Sequence, residues 1–217
     1  MLRPAPGAGR RIGPRVLPNH HAGAGLDLSL SIVRLGIPLL LALLLGLAGA
    51  APAAAEIEGY ASYDASSTCH PKPRAGTEYL GRWVARHYGG GYVGFGRSCS
   101  KKDGPTSEHQ TGRAFDWSLD ASSKRDRSTA REFMRRVFAA DGRGNEDALA
   151  RRMGIMYLIW DDQMYPAWTG FRPEPYLSSS CKTRKKCSRT LRHRDHVHVS
   201  LSRPGARGVT SWYDGRL

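Results

Sequence analysis

The chain has 217 residues with 33 Lys and Arg against 19 Asp and Glu, which gives a formal net charge of +14, and 40% of its residues are hydrophobic. This length suits one globular domain with an appendage and excludes a large multidomain assembly, while the hydrophobic content excludes a chain that is disordered throughout. The positive charge fits a nucleic acid, a membrane surface or an anionic polymer as partner, and composition alone does not choose among them.

An uncharged, Leu-rich stretch precedes the predicted domain. Residues 35–55 carry no charged side chain, follow Arg34 and end in three consecutive alanines. A basic flank, a short apolar core and a small-residue exit are typical of a secretory signal peptide, so we predict a leader and signal peptide over residues 1–55, cleaved after Ala55. The alternative is an uncleaved membrane anchor, because a stretch of this length can just span a bilayer.

All four cysteines follow this leader, and an even number in an exported chain predicts two disulfides. Three pairings are open. The simplest joins sequence neighbours, Cys69 with Cys99 and Cys181 with Cys187. A structural zinc on four thiolates is the less favoured alternative, because the sequence contains no C-x-x-C pair.

The predicted elements follow in chain order. Residues 56–68 are an extended lead-in, and the domain covers residues 69–217. Apolar spacing predicts a helix over residues 77–88, which stops at three consecutive glycines. Short hydrophobic runs predict strands, which cover residues 92–96, 113–119, 155–160 and 197–201.

Two more helices are indicated by capping signals. Thr129 and Glu132 are spaced as a capping box, and Asn145 is positioned to cap a helix that ends before Gly154. The 160s to 190s have few periodic signals and are predicted to form a rim rather than a core. Helices and strands come in separate blocks, so we predict an α+β fold with a small antiparallel sheet flanked by helices.

Four of the six histidines beyond the leader fall in two short segments, residues 107–116 and 193–198. Neutral imidazoles with a carboxylate are the donors that divalent transition metals prefer. In a strand, His196 and His198 share one face and the intervening valine lies on the other, so both imidazoles can face a cleft. Non-haem iron also uses two histidines and a carboxylate, but its His and Asp usually have H-x-D spacing, whereas His109 and Asp116 are seven residues apart.

In the first segment, His109 and Asp116 can belong to one site only if the chain turns between them. Asp116 follows His109 by seven residues, an offset that a straight strand would place on opposite faces. Gly112 lies between them and supplies a turn that brings His109 back, because glycine adopts backbone angles that other residues avoid.

These segments resemble known zinc peptidases. Residues 107–116 resemble the S-x-H-x-x-G-x-A-x-D signature of the D-Ala-D-Ala peptidases at all five fixed positions. Residues 193–198, as H-x-D-H-x-H, are similar to the penicillin-insensitive murein endopeptidases of the lysostaphin, D-Ala-D-Ala carboxypeptidase and hedgehog superfamily. The resemblance covers about residues 69–201 and implies a hedgehog/D-Ala-D-Ala-peptidase-like fold.

The resemblance also implies the roles of individual residues. The implied Zn²⁺ ligands are His109, Asp116 and His198, with the fourth position left to water, so that a zinc-bound hydroxide would attack a peptide carbonyl. His196 would act as general base or transition-state stabiliser, with His193 assisting. Asp195 replaces the Glu that the carboxypeptidases use as base, and we expect it to orient its neighbours or serve as an alternative base.

Two more positions are implied to bind substrate. Ser107 matches a substrate-contacting position of the carboxypeptidases, and Arg97 resembles the Arg that holds a substrate carboxylate. For Arg97, a surface ion pair is an equal alternative.

We therefore predict a secreted, cell-wall-associated zinc metallopeptidase that hydrolyses amide bonds of peptidoglycan peptides as a carboxypeptidase or an endopeptidase. The alternative is a non-catalytic, zinc-stabilised wall-binding module. The leader removes five Arg and one Asp, so about ten excess positive charges stay with the domain, where anionic wall polymers are candidate partners. We expect a monomer that has no membrane attachment after signal cleavage and no nucleic-acid partner.

Overall fold

A computed structural model describes residues 57–99 and 106–217 of the chain. The described residues form an α+β domain with one antiparallel sheet of six strands. In chain order these are β1 (Val93–Phe95), β2 (Ala114–Trp117), β3 (Ile155–Trp160), β4 (Gln163–Pro166), β5 (Glu174–Pro175) and β6 (Val197–Leu201). Their order across the sheet is β1-β2-β6-β3-β4-β5. The predicted leader and signal peptide lie outside the described residues.

The four predicted strands are present, whereas β4 and β5 were not predicted from the sequence. Their four and two residues are too few to display an alternating pattern. Four α-helices accompany the sheet among the described residues. They are α1 (Ala75–Tyr88), α2 (Lys124–Val137), α3 (Ala148–Arg152) and α4 (Arg203–Arg207).

Two helices start at other residues than the capping signals predicted. Helix α2 begins at Lys124, where the Ser123 hydroxyl accepts a hydrogen bond from the backbone of Asp126. Thr129 therefore lies inside the helix, and its hydroxyl donates to a backbone carbonyl one turn earlier, so the predicted capping box is wrong. Asn145 is not a cap either, because its amide donates to the Asp141 carboxylate at 3.1 and 2.9 Å.

The two faces of the sheet are different. Phe115 and Trp117 of β2 join Val197, Val199 and Leu201 of β6 in one apolar cluster, to which all four helices contribute buried side chains. Side chains alternate along a strand, so the residues between these point to the opposite face. The helices thus cover one face, and the other face is left to lead-in and loop residues.

Two disulfides close loops around that second face. Cys69 pairs with Cys99, and Cys181 pairs with Cys187, which confirms the neighbour pairing among the three that the sequence left open. Two disulfides fit a protein that folds in an oxidising compartment. In the part of the chain that the structure describes, no helix has both the length and the apolar character needed to cross a bilayer.

The lead-in packs onto the domain although it forms no helix or strand. Ile57 is buried, and the Tyr60 hydroxyl donates to the Asp147 carboxylate at 2.7 Å. Further along, the guanidinium of Arg113 donates to the backbone carbonyl of Asp64 at 2.7 Å. Arg113 is only 1% exposed, and burial lowers its pKa while the nearby Asp64 carboxylate opposes that shift.

Candidate metal centre

Strands β2 and β6 place two of the three predicted ligands. Asp116 and His198 are direct partners across the antiparallel β2–β6 pair. Because Phe115 and Val199 point into the apolar core, Asp116 and His198 point to the opposite face and lie next to each other. The alternation that the sequence indicated for these two strands is confirmed.

A single 3₁₀ turn brings the third ligand to the same place. His109 lies in the 3₁₀ helix Glu108–Thr111, where the Ser107 hydroxyl accepts a hydrogen bond from the His109 backbone at 3.4 Å. Gly112 ends this turn with a φ of 69°, and a Cβ there would collide with the backbone carbonyl of Lys72. The predicted role of Gly112 as the turn that returns His109 is confirmed.

The three donor atoms form a compact triangle. Nε2 of His109 lies 3.1 Å from Oδ1 of Asp116 and 3.1 Å from Nδ1 of His198. The third side, from Nδ1 of His198 to the same Oδ1, is 2.9 Å long. Among the described residues, these three side chains form a group that could hold a metal ion.

Hydrogen bonds cannot satisfy all three sides of this triangle. Each imidazole nitrogen either carries one proton or offers one lone pair, and the carboxylate only accepts. If both nitrogens donate to Asp116, two N–H groups face each other; if one nitrogen is unprotonated, its lone pair faces the carboxylate or the other nitrogen. A cation in the middle would accept all three lone pairs at once.

The donor set fits a zinc ion. Zinc bonds of about 2.1 Å in tetrahedral geometry place neighbouring donor atoms roughly 3.4 Å apart, close to the observed separations. Two histidines and one carboxylate with a remaining open position are typical of catalytic zinc, whereas structural sites use four protein ligands.

The electrostatics of the triangle favour an ionised Asp116 and a neutral His198. Burial raises the pKa of Asp116, but the hydrogen bonds with His109 and His198 outweigh burial and hold that pKa far below its usual range. Burial lowers the pKa of His198, and the neighbouring Asp116 carboxylate opposes part of this shift. A carboxylate and neutral imidazoles are the protonation states that metal binding requires.

His196 lies beside the triangle and is held by Asp195. Nδ1 of His196 is 2.7 Å from Oδ1 of Asp195, and its Nε2 is 3.5 Å from Oδ1 of Asp116. The other Asp195 oxygen accepts a hydrogen bond from the Thr190 hydroxyl at 2.6 Å. Burial raises the pKa of Asp195, but the bonds with Thr190 and His196 outweigh burial and lower that pKa overall.

His193 packs against the same group. Its ring centroid lies 4.7 Å from that of His196 and 5.5 Å from that of His198, and Tyr176 contacts it edge-on at 5.0 Å. Burial, followed by the neighbouring imidazoles, lowers the pKa of His193 to about 2. Its buried Nδ1 has no hydrogen-bond partner among the described residues.

These side chains line one cleft of about 360 Å³. Ser107 and Arg97 line it as well, so seven of the eight predicted site residues lie in one cavity wall. The eighth, Asp195, does not line the cleft and contacts it through His196. Arg97 is exposed and has no carboxylate within 4 Å among the described residues, so the ion pair considered for it is not observed there. Other lining residues are Tyr157, Tyr176, Ser178, Ser179, Ser180 and Leu191.

Sequence reasoning missed three residues next to the metal centre. Ser200 lies 2.8 Å from Nε2 of His198, and the hydroxyl of Tyr157 donates to Glu108 at 2.6 Å. Strand alternation places Ser200 on the same face as His198, so that signal was available. Tyr157 was not recognisable, because an irregularity in β3 sets its direction.

Part of the chain is similar to a known protein family. A family model described as VldE, C-terminal domain, matches residues 69–183, more than half of the chain. The matched segment contains His109 and Asp116 and ends before His198. No curated protein and no solved structure matches the chain.

Proposed function

The chain belongs to the family described as VldE, C-terminal domain, and we propose that it is a secreted zinc-dependent peptidase that hydrolyses amide bonds of peptidoglycan peptides. The observation that carries this proposal is the triangle of His109, Asp116 and His198 in a cleft. The resemblance of the two histidine segments to D-Ala-D-Ala peptidases and murein endopeptidases supports the substrate class and the hedgehog/D-Ala-D-Ala-peptidase-like fold.

A zinc ion held by the triangle would polarise a peptide carbonyl and lower the pKa of water. His196 is placed to move protons in such a reaction. Its Nδ1–H donates to Asp195, which leaves the Nε2 lone pair 3.5 Å from Asp116 and therefore beside the triangle. From this position Nε2 accepts a proton from the attacking water and returns it to the leaving amine.

Asp195 acts on the reaction through His196. Both carboxylate oxygens have hydrogen-bond partners, His196 on one side and Thr190 on the other. A carboxylate that is held in this way fixes the tautomer of His196, and it is less suited to accept a proton from water. We therefore assign the base to His196 and a positioning role to Asp195.

The wall of the cleft provides groups for substrate binding. Arg97 is an exposed cation in this wall, suited to the carboxylate of a peptide C-terminus. Ser107 lines the cleft and also caps the turn that bears His109, so it would couple substrate contact to the metal site. His193 packs against His196 and limits the orientations that the His196 ring can adopt.

The basic loop, residues 181–187, is a candidate contact for anionic wall polymers. The Cys181–Cys187 disulfide closes it, and its four cations are exposed without a carboxylate within 4 Å among the described residues. Residues that line the cleft, such as Ser180 and Thr190, lie on both sides of the loop in the chain. A polymer bound to the loop would therefore lie near the cleft.

The proposal is tested by incubating the zinc-loaded protein with purified peptidoglycan, with and without a chelator, and identifying the products by mass spectrometry. Release of D-Ala would indicate a carboxypeptidase, and conversion of dimers to monomers an endopeptidase. The chelator should abolish either product and added zinc should restore it. His196→Gln is the matched variant, because it should retain zinc and lose turnover.

The alternative function has a different outcome in the same experiment. A zinc-stabilised wall-binding module would bind one equivalent of zinc and sediment with peptidoglycan, and it would release no product under any condition. That result would contradict the proposed peptidase activity.

A further inference from the structure

A line of buried polar side chains begins at His198 of the metal centre and ends at Glu108. The hydroxyl of Tyr157 lies 2.6 Å from Oε2 of Glu108. Glu108 and Tyr157 are only 6% and 7% exposed, so this contact is shielded from water. Tyr157 is the donor in this hydrogen bond and Glu108 the acceptor.

The direction of the remaining hydrogen bonds follows from this first one. Ser200 faces Tyr157 directly across the β3–β6 pair, which places its hydroxyl near the phenol. The phenol proton is committed to Glu108, so in a contact between the two hydroxyls Ser200 is the donor and the phenol oxygen the acceptor. The single serine proton is then used, and the 2.8 Å contact with Nε2 of His198 requires an N–H on that nitrogen.

We propose that Glu108, Tyr157 and Ser200 form a positioning relay that holds His198 as its Nε2–H tautomer, with the Nδ1 lone pair directed at His109 and Asp116. Each member donates a proton towards the carboxylate, so the chain has one polarity from His198 to Glu108. Partners of this kind orient metal-bound histidines and increase their basicity. The inference rests on the proposed metal site and is independent of the reaction catalysed there.

The backbone is shaped to include Tyr157 in this relay. Residues two apart in a regular strand share a face, yet Ile155 packs in the apolar core while Tyr157 faces His198. A register shift in β3 between these two residues causes the change of face. The Tyr157 ring then stacks on His198 at a centroid distance of 5.6 Å, which restricts the imidazole to one orientation.

Burying these polar groups costs folding free energy, which favours a role for them at the site over a role in stability alone. A buried carboxylate is unfavourable without partners, and an apolar side chain would fill the same space at less cost. Arg113 is near enough to Glu108 to interact with its charge, but the bond to Glu108 in this cluster comes from Tyr157.

The test compares Tyr157→Phe with Tyr176→Phe, which removes a hydroxyl from another tyrosine that lines the same cleft. Without the phenol oxygen, the Ser200 proton is free to turn towards Nε2 of His198, and the Nδ1–H tautomer becomes populated. We expect zinc affinity to fall about 10- to 100-fold in Tyr157→Phe and to stay unchanged in Tyr176→Phe. Zinc affinity is measured by chelator competition.

A second readout needs neither metal nor substrate. In the ¹⁵N NMR spectrum of the metal-free protein, His198 should be protonated at Nε2, and Tyr157→Phe should shift this signal towards the Nδ1–H form. A purely structural role of Tyr157 would leave the tautomer unchanged. If Tyr157→Phe does not fold, Ser200→Ala tests the same tautomer, and Glu108→Gln should have a smaller effect because its amide oxygen still accepts from Tyr157.

Two results would overturn the relay. One is a wild-type His198 that is protonated at Nδ1 in the metal-free protein, and the other is equal zinc affinity in Tyr157→Phe and Tyr176→Phe. Failure of the proposed peptidase activity has a separate signature, which is absence of peptidoglycan products while the zinc and tautomer effects are retained.

Discussion

The two faces of strand β6 are built from consecutive residues but depend on different parts of the chain. Val197, Val199 and Leu201 are fully buried in the apolar cluster that the helices cover. His198 and Ser200 lie between them, and His198 contacts His109 from a distant turn and Asp116 from β2. The first face requires only apolar side chains of suitable volume, whereas the second requires particular atoms in particular protonation states. We therefore expect substitutions on the two faces to affect different measured quantities.

The two faces should differ most in the effects of substituting two neighbouring residues of β2. Phe115 is fully buried on the core face, so Phe115→Ala should lower the unfolding free energy by about 3–5 kcal/mol, which denaturant unfolding of the metal-free protein measures. Asp116→Asn should change that quantity much less and abolish tight zinc binding, because a neutral amide replaces the anionic ligand. Equal losses of stability in both variants, with zinc binding retained in Asp116→Asn, would refute the distinction between the faces.

Gly112→Ala should affect both quantities. Gly112 and Gly170 both adopt left-handed backbone angles, but only at Gly112 would a Cβ meet the backbone of another segment. We expect Gly170→Ala to cost about 1 kcal/mol of unfolding free energy and Gly112→Ala at least about 2 kcal/mol, with weaker zinc binding only in the latter. Calorimetry and zinc titration check this. If the two variants behave alike, the turn does not control the position of His109.

Asp195→Asn should affect turnover alone. Asp195 contacts His196 and not the triangle, so zinc affinity and unfolding free energy should stay close to wild type. Peptidoglycan hydrolysis should fall about 100-fold, because His196 would lose the carboxylate that fixes its tautomer. Thr190→Val, which removes the other partner of Asp195, should have a smaller effect of the same kind. A parallel loss of zinc would place Asp195 in the metal site instead.

The smallest effect on folding should come from the basic loop. Neutralising its four cations with glutamine should leave the unfolding free energy unchanged and should lower the salt concentration that elutes the protein from an anionic wall polymer. The substituted residues are Lys182, Arg184, Lys185 and Lys186. The matched control neutralises four exposed arginines of α2, which are Arg125, Arg131, Arg135 and Arg136. Equal shifts in both variants would show that the loop has no special role.

The sequence predicted the core face of the sheet and the ligands more fully than the surroundings of the ligands. Alternation in residues 197–201 carries enough information to assign both faces, and the spacing of His109, Gly112 and Asp116 indicates a returning turn. These signals are local, because each depends on the backbone geometry of a few consecutive residues.

The relay and the helix starts depend on information that local patterns do not contain. Tyr157 reaches His198 through a register shift in β3, and Glu108 becomes its partner across 49 positions of sequence. Helix α2 starts at Lys124 because the Ser123 side chain caps it there, although Thr129 offers a similar pattern further along the chain. Both outcomes are set by tertiary packing, which the sequence alone does not display.

The central claim is that His109, Asp116 and His198 together hold one zinc ion. Zinc-edge X-ray absorption of the metal-loaded protein tests this most directly, with the three corresponding single variants as controls. We predict nitrogen and oxygen neighbours at about 2.0–2.1 Å, with the multiple-scattering signature of two imidazoles that is halved in His109→Ala and in His198→Ala. Sulfur neighbours at about 2.3 Å, or a wild-type spectrum that persists in His109→Ala, would contradict the account.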